Sequence, residues 1–325
     1  MSSRLCCGML VVVAAGLMLM LFASGCSESA GPGPVGAGPL KVVATTSIIA
    51  DAVRNVGGGH VAVTTLMPAG TDPHNYLPTS ADTETFAGAH LILSNGLHLE
   101  GKMSSQLEGR SVPNQRAATV SARLDHATQV LKVDGGAEDP HVWFDVTLWT
   151  NCVVTIKDEL ATSDPAHAAA YGANAMKYLG ELAALDAEVR AKAAKLTAAL
   201  GAKPVLITSH DAFVYFSKAY GFEVHGLQGV STASATSSRD TEALVNLIGG
   251  RGIKAIFTET SVPTRGLEKV LDDVKTKYPR LGPVRLVVGE DALYSDSLGA
   301  AGTPGATYVG MVRHNIDTIA KYLQP

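Results

Sequence analysis

The chain has 325 residues, of which 46% are apolar and only 17% charged, a balance that suits a globular protein and excludes a disordered one. Its length favours two folded lobes over one. The net charge of −4 leaves no basic surface that argues for nucleic acid.

Arg4 precedes an uncharged apolar run from Met9 to Ala23, which ends in Ala23-Ser24-Gly25-Cys26. About 15 apolar residues fall short of the ~20 that a spanning helix needs and fit a secretory signal, so residues 1–25 stand outside the fold. The small residues before Cys26 resemble a bacterial lipoprotein box, in which the cysteine becomes the lipidated first residue of the mature chain; Ala23 departs from the Leu usual there. Cys6 and Cys7 leave with the signal and Cys26 carries lipid, so Cys152 has no partner for an internal disulfide and reads as a buried helix residue. Residues 26–40 are rich in Gly and Pro and read as a flexible tether.

The folded chain then alternates strands and helices: strand 41–46, helix 48–56, strand 60–67, helix 79–89, strand 91–95 and a helix near 100–107. That order predicts a mainly parallel α/β lobe over 41–165, with its ligand site beyond the carboxyl ends of the strands. His74 lies in such a strand-to-helix loop. His60 begins a strand at the opposite edge and reads as structural, His90 and His98 flank a strand and a turn, and His126 and His167 read as solvated surface.

A helix over 147–161 ends in Ser163-Asp164-Pro165, a turn whose proline suits the first helical position. From 166 to 200 there is no proline, and Leu182, Leu185, Val189, Ala193 and Leu196 recur at intervals of three and four. That is one amphipathic helix of about 50 Å at 1.5 Å per residue. It reads as a rigid connector, because similar α/β patterns lie on both sides. The second lobe, 201–325, contains strand 204–209, helix 212–220, strand 222–227, helix 240–250, strand 255–259, helix 265–276, strand 284–289 and a terminal helix over 307–323. His210 is read as the first residue after its strand, and Asp296 falls in the loop after the last strand.

Four segments carry the chemistry. Asp139-Pro140-His141-Val142-Trp143-Phe144-Asp145 sets an imidazole between a proline and two aromatics that can shield it from water. His74, His210 and Asp296 follow strand or turn signals on the same ligand-binding edge, two candidates in each lobe, so the four together predict a His₃Asp metal site in the interlobe cleft. Neutral imidazole suits Zn²⁺ and other first-row ions, and the lack of thiolates disfavours Cu(I) and iron–sulfur chemistry. A monodentate Asp296 closes a tetrahedral Zn²⁺ site; a bidentate one gives the five-coordination that Mn²⁺ accepts. Asp72, Asp139 and Asp211 are candidates for orienting the rings or capping local backbone. Glu259 is placed behind Asp296 as a ligand, and Trp143 and Phe144 are read as core beneath the site.

The motifs MPAGTDPHNY, NGLHLE, DPHVWFDVTLW, SHDAFVYFSKAYGFEVHGLQGVSTAS and LYSDSLGAAGTPGATYVGMVRHNIDTI span about Val42 to Ile319. Together they resemble the TroA-type metal-binding solute receptors of bacterial ABC transporters. The resemblance implies two α/β lobes joined by one long helix, limited opening on metal release, and His74, His141, His210 and Asp296 as ligands. It implies capture of Zn²⁺ or Mn²⁺ at the outer face of the cytoplasmic membrane, where lipid on Cys26 anchors a monomer that delivers the ion to a permease. The chain has no G-x-x-x-x-G-K-[ST] loop, so ATP hydrolysis falls to a separate subunit. Nothing between residues 110 and 140 resembles the His- and acid-rich loop of zinc-dedicated relatives. The alternative is a metal-dependent hydrolase on the same ligands, against which stands the absence of an H-E-x-x-H helix or G-x-S-x-G elbow.

Overall fold

The computed structural model describes residues 38–107, 112–133 and 136–324. The stretches read as a signal peptide (residues 1–25) and as a tether up to residue 37, with Cys26, lie outside the described residues. The described residues all belong to one compact unit.

The N-terminal half is a four-stranded sheet in the order β2-β1-β3-β4, formed by β1 (Leu40–Thr46), β2 (Val61–Met67), β3 (Leu91–Ser94) and β4 (Arg116–Thr119). Every pairing is parallel; Val42 of β1 sits between Val63 of β2 and Leu91 of β3. The apolar run of β1 is buried on both faces, as a central parallel strand requires. β4 was not legible in the sequence. Its residues Arg-Ala-Ala-Thr are mostly exposed and lack a strand's alternation; the backbone ladder of β3, and not side-chain burial, recruits them to the edge.

The turn from β1 into helix α1 (Ser47–Gly57) is set by Thr46, whose side chain accepts the Ile49 N–H at 3.3 Å as an N-cap. α1 buries Ile48, Ile49, Ala52, Val53 and Val56 and ends at Gly58, whose φ of 56° lies in the left-handed region that favours glycine. Helices α2 (Ser80–Ala87), α3 (Ser104–Leu107) and α4 (Val146–Ser163) follow. Before α3, residues Gly101–Met103 form a 3₁₀ turn, which shortens the helix expected near 100–107.

In the C-terminal half, β5 (Val205–His210) pairs in parallel with β6 (Glu223–Gln228), and β7 (Ala255–Phe257) with β8 (Arg285–Val287). β5 lies beside β7, so the carboxyl ends of both pairs meet at one edge. Helices α6 (Val214–Tyr220), α7 (Ser238–Arg251) and α8 (Arg265–Lys277) return the chain between strands, and α9 (Tyr308–Leu323) closes the fold.

Between the halves runs α5 (Ala168–Leu200), a helix of 33 residues. Its buried face holds the expected stripe of Leu182, Leu185, Val189, Ala193 and Leu196 and extends it toward the N-terminus through Tyr171, Ala175 and Tyr178. Pro165 sits in a 3₁₀ turn before the helix and not in its first α turn. α5 is fastened along its length: Asn174 Nδ2 donates to Val56 O at 3.0 Å in α1, and Arg190 Nη1 donates to Ala219 O at 2.7 Å in α6. One apolar cluster runs from Leu40 through this stripe to Ile319, so the helix packs into both halves as a spine. Cys152 is buried in α4, where burial pushes its thiol up, and it serves as packing.

Candidate metal centre

His74, His141, His210 and Asp296 converge as expected, each within 6% of full burial. Their nearest donor atoms all lie within 4.8 Å of one another. His141 Nε2 is 3.3 Å from His74 Nε2, 3.3 Å from His210 Nε2 and 3.3 Å from Asp296 Oδ1. The other carboxylate oxygen, Asp296 Oδ2, is 3.3 Å from His210 Nε2 and 4.0 Å from His74 Nε2.

Each donor arrives on a different piece of chain. His74 lies in the loop after β2. His141 begins the 3₁₀ turn Val142–Phe144, held by Asp145, whose side chain caps α4 through the Thr147 and Leu148 N–H groups at 2.9 and 3.2 Å. His210 is the last residue of β5, register-paired with Gln228, and so is not in the following loop as expected. The Asp296 loop is brought in when the chain after β8 returns beside β7: Leu293 N–H donates to Thr258 O at 2.9 Å, and Thr260 N–H to Leu293 O at 2.9 Å. Asn315 of α9 then clamps Tyr294 through both main-chain groups, at 3.0 and 2.7 Å. Trp143 Nε1 donates to Ser295 O at 3.0 Å, with its ring 5.2 Å from His141. Trp143 is thus core beneath the site, as expected, and also a brace for the Asp296 loop. Phe144 packs on Phe213 at 4.3 Å.

Two carboxylates orient the imidazoles. Asp139 Oδ1 lies 2.7 Å from His141 Nδ1 and accepts the same residue's N–H at 3.0 Å. Glu259 Oε2 lies 2.6 Å from His210 Nδ1, and Oε1 accepts the His210 N–H at 2.9 Å. A carboxylate against Nδ1 holds the proton there and turns the Nε2 lone pair inward. Asp139 therefore acts as expected, while Glu259 supports His210 from behind. Asp211 takes neither of its two expected roles: it accepts the Gly226 N–H of the neighbouring strand β6 at 2.6 Å, which is not local backbone, and leaves the His210 ring to Glu259. Asp72 accepts the His74 N–H at 2.9 Å, which fixes backbone and not ring.

The remaining histidines stay apart. His60 stacks on His167 with ring centres 4.0 Å apart, and His167 Nδ1 lies 2.7 Å from Asp164, while the His167 side chain stays 42% exposed, on the surface as expected. His90 Nδ1 accepts the Lys41 N–H at 3.1 Å, and exposed His126 meets Glu138 at 2.7 Å.

The electrostatics suit a cation. Neither oxygen of buried Asp296 has a hydrogen-bond partner among the described residues, a costly state for a carboxylate unless positive charge sits against it. Burial pushes the Asp296 carboxyl up, but the His210 and His141 imidazoles outweigh it and hold the group well below the carboxylate range. Burial likewise lowers His210 and His141, yet Asp296 with Glu259, and Asp139 with Asp296, raise both above the usual imidazole value. His74, braced by no carboxylate at Nδ1, is pushed down to about 4 by burial despite Asp296. Four of the donor separations, each 3.3 Å, match the roughly 3.3–3.4 Å between donors in a tetrahedron with metal–nitrogen bonds of about 2.0–2.1 Å, while His74 stands farther from Asp296 at 4.0 Å.

A family model described as zinc-uptake complex component A, periplasmic, matches residues 42–322. The manganese-binding lipoprotein MntA of Bacillus subtilis is 42% identical over 285 residues, covering 88% of this chain and 90% of that one. The zinc-binding protein TroA of Treponema pallidum is 44% identical over 289 residues, 88% of this chain and 89% of that one. Its solved structure superposes with a TM-score of 0.81, covering 89% of this chain and all of the other. The manganese ABC transporter substrate-binding lipoprotein PsaA of Streptococcus mitis is 31% identical over 289 residues, 87% of this chain and 89% of that one. These likenesses leave no place for the hydrolase alternative. A parallel α/β fold on a helical spine, a buried His₃Asp cluster and a match over nearly the whole folded chain lead to one conclusion: this protein belongs to the periplasmic zinc-uptake component A family, the metal-binding receptors of ABC transporters, and is not an enzyme.

Proposed function

We propose that His74, His141, His210 and Asp296 are the four protein ligands of a divalent transition ion, Zn²⁺ or Mn²⁺, held as transported cargo. The observation that carries this reading is the convergence of three imidazole nitrogens on a buried carboxylate whose oxygens lack any other partner among the described residues. Asp296 turns one oxygen toward His141 and the other toward His210, each at 3.3 Å. Both oxygens are thereby available, which supports five-coordination and admits Mn²⁺ beside Zn²⁺.

The receptor captures the ion outside the membrane and hands it to a permease driven by a separate ATPase subunit. Lipid on Cys26 anchors it to the outer face of the cytoplasmic membrane, and residues 26–40 tether the domain. Residues 41–165 and 201–325 act as two lobes on the 166–200 helix, with the ion between them. The names of MntA and PsaA as lipoproteins support the anchor. Among the described residues, no helix is long and apolar enough to cross a membrane.

The test is metal content of the protein purified without added metal, followed by anaerobic competition between Zn²⁺ and Mn²⁺. One tightly held equivalent is expected, lost in His141→Ala and in Asp296→Ala. Full metal occupancy in both variants would remove these residues from the site.

A further inference from the structure

His74 is held differently from its partners. His141 and His210 each have a carboxylate against Nδ1, whereas among the described residues no carboxylate lies within ion-pair distance of His74 Nδ1. Its anchor is the main-chain N–H to Asp72 Oδ1. The placement of His74 therefore depends on the loop over 68–75.

That loop crosses to the C-terminal half at two points. Gly70 N–H donates to Ser297 Oγ at 2.8 Å, next to Asp296 itself. Farther from the donor atoms, the Thr232 hydroxyl donates to Asp72 Oδ2 at 2.6 Å and accepts from Asn75 Nδ2 at 3.0 Å. Asn75 also donates to Asp72 Oδ2 at 2.9 Å and accepts from Lys102 Nζ at 3.1 Å. On the far side, Gln228 Nε2 donates to the carbonyls of Thr232 and Ser234 at 3.4 and 3.3 Å, and Gln228 is the β6 partner of His210. One Asp72 carboxylate thus holds His74 with one oxygen and the opposite half of the protein with the other.

We propose that Thr232 is a positioning residue for cargo retention: its hydroxyl latches the His74 loop across the mouth of the site, and breaking that hydrogen bond sets the rate at which the ion leaves. The inference deepens the metal-receptor reading and rests on it. A hydrogen bond to an ionised carboxylate is stronger than a neutral one, so it is a suitable latch. A cavity of about 320 Å³ flanks it, lined in part by Asp72, Thr232, Gln228 and Ser209. The buried Ser209 hydroxyl has no partner among the described residues. Leu227, Val262 and Leu267 also line it, so the space is mixed in character, and its polar side offers partners for water, which a departing ion must regain.

The experiment uses the full-length protein loaded with Zn²⁺, or with Co²⁺ as a spectroscopic probe, and follows loss of the ion to excess chelator. Thr232→Val, which keeps the shape and removes the hydroxyl, is expected to raise the dissociation rate about tenfold while the Co²⁺ absorption spectrum stays unchanged. Thr232→Ser, which restores the hydroxyl, is expected within twofold of the parent. Equal rates for Thr232→Val and the parent would overturn the latch, as would Thr232→Ser releasing as fast as Thr232→Val. An altered Co²⁺ spectrum in Thr232→Val would also overturn it, by showing a change in the ligand set in place of a change in retention. Absence of stoichiometric metal in the parent protein would be a different failure, overturning the metal-receptor reading and the latch with it.

Discussion

Glu259 shows how much of the site depends on residues that never face the cargo. It stands behind His210 with Oε2 2.6 Å from Nδ1 and Oε1 accepting the main-chain N–H. Replacement by Gln keeps the size and removes the negative charge that holds the Nδ1 proton and raises the imidazole's basicity. Glu259→Gln is expected to weaken Zn²⁺ binding by about 10–100-fold while circular dichroism stays that of the parent protein; titration against a competing chelator checks this. A Kd within twofold of the parent would show that His210 needs no such support. Such a role is hard to read from sequence, because Glu259 and Asp296 both follow strand signals. Only the return of the chain beside β7 puts Asp296 in front of His210 and leaves Glu259 behind it.

At the scale of elements, the pairing of β5 with β6 decides where His210 points. Gly226 lies opposite Thr208 in that ladder, and a Cβ there would meet His210 C at 2.4 Å, Asp211 N at 2.4 Å and Gln228 O at 2.7 Å. All three are backbone atoms, so the strand itself would have to move. Gly226→Ala is expected to cost about 1–3 kcal/mol of stability, as overpacking does, and to weaken metal binding by displacing His210. Urea unfolding of the metal-free protein and a metal titration read the two effects separately. Unchanged midpoint and affinity would mean that the β5–β6 edge yields freely. Element order was legible in the sequence because apolar runs and glycine breaks punctuate it. β4 was not, since an exposed edge strand carries no apolar pattern, and the chemical partner of Asp211 depended on a neighbouring strand.

For the whole molecule, cargo and protons compete for the same nitrogens. Before metal binds, His141 and His210 hold protons above the usual imidazole range because of Asp139, Asp296 and Glu259, while His74 titrates near 4. The raised pair stabilises the metal-free fold below about pH 6.5, the unfolded value, and that contribution is lost as pH rises through their folded values. The lowered His74 works in the opposite sense, costing stability as pH falls below the same unfolded value. A bound cation requires the lone pairs and expels the protons. Affinity is therefore expected to fall as pH is lowered from 8 to 5.5, and the metal-induced rise in Tm to shrink with it. At a free concentration of about a thousand times Kd, the ion should add about 4 kcal/mol of stability. Calorimetry in buffers of different ionisation enthalpy should show proton release on binding; a buffer-independent enthalpy would contradict the shared-proton arrangement.

The sequence by itself determined the parallel α/β class, the long helix and the identity of the four convergent side chains. Each of these follows from local pattern: apolar period, breaker residues, and polar groups placed at strand ends. Tertiary structure decided what local pattern does not carry. It placed Glu259 at the back of His210, turned both Asp296 oxygens inward without another partner, pressed Gly226 against the His210 backbone, and joined Asp72 to Thr232 across 160 residues of chain. Those contacts are between segments distant in sequence. Their geometry is set by strand register and by the packing of both halves on α5, and no single stretch of chain contains that information.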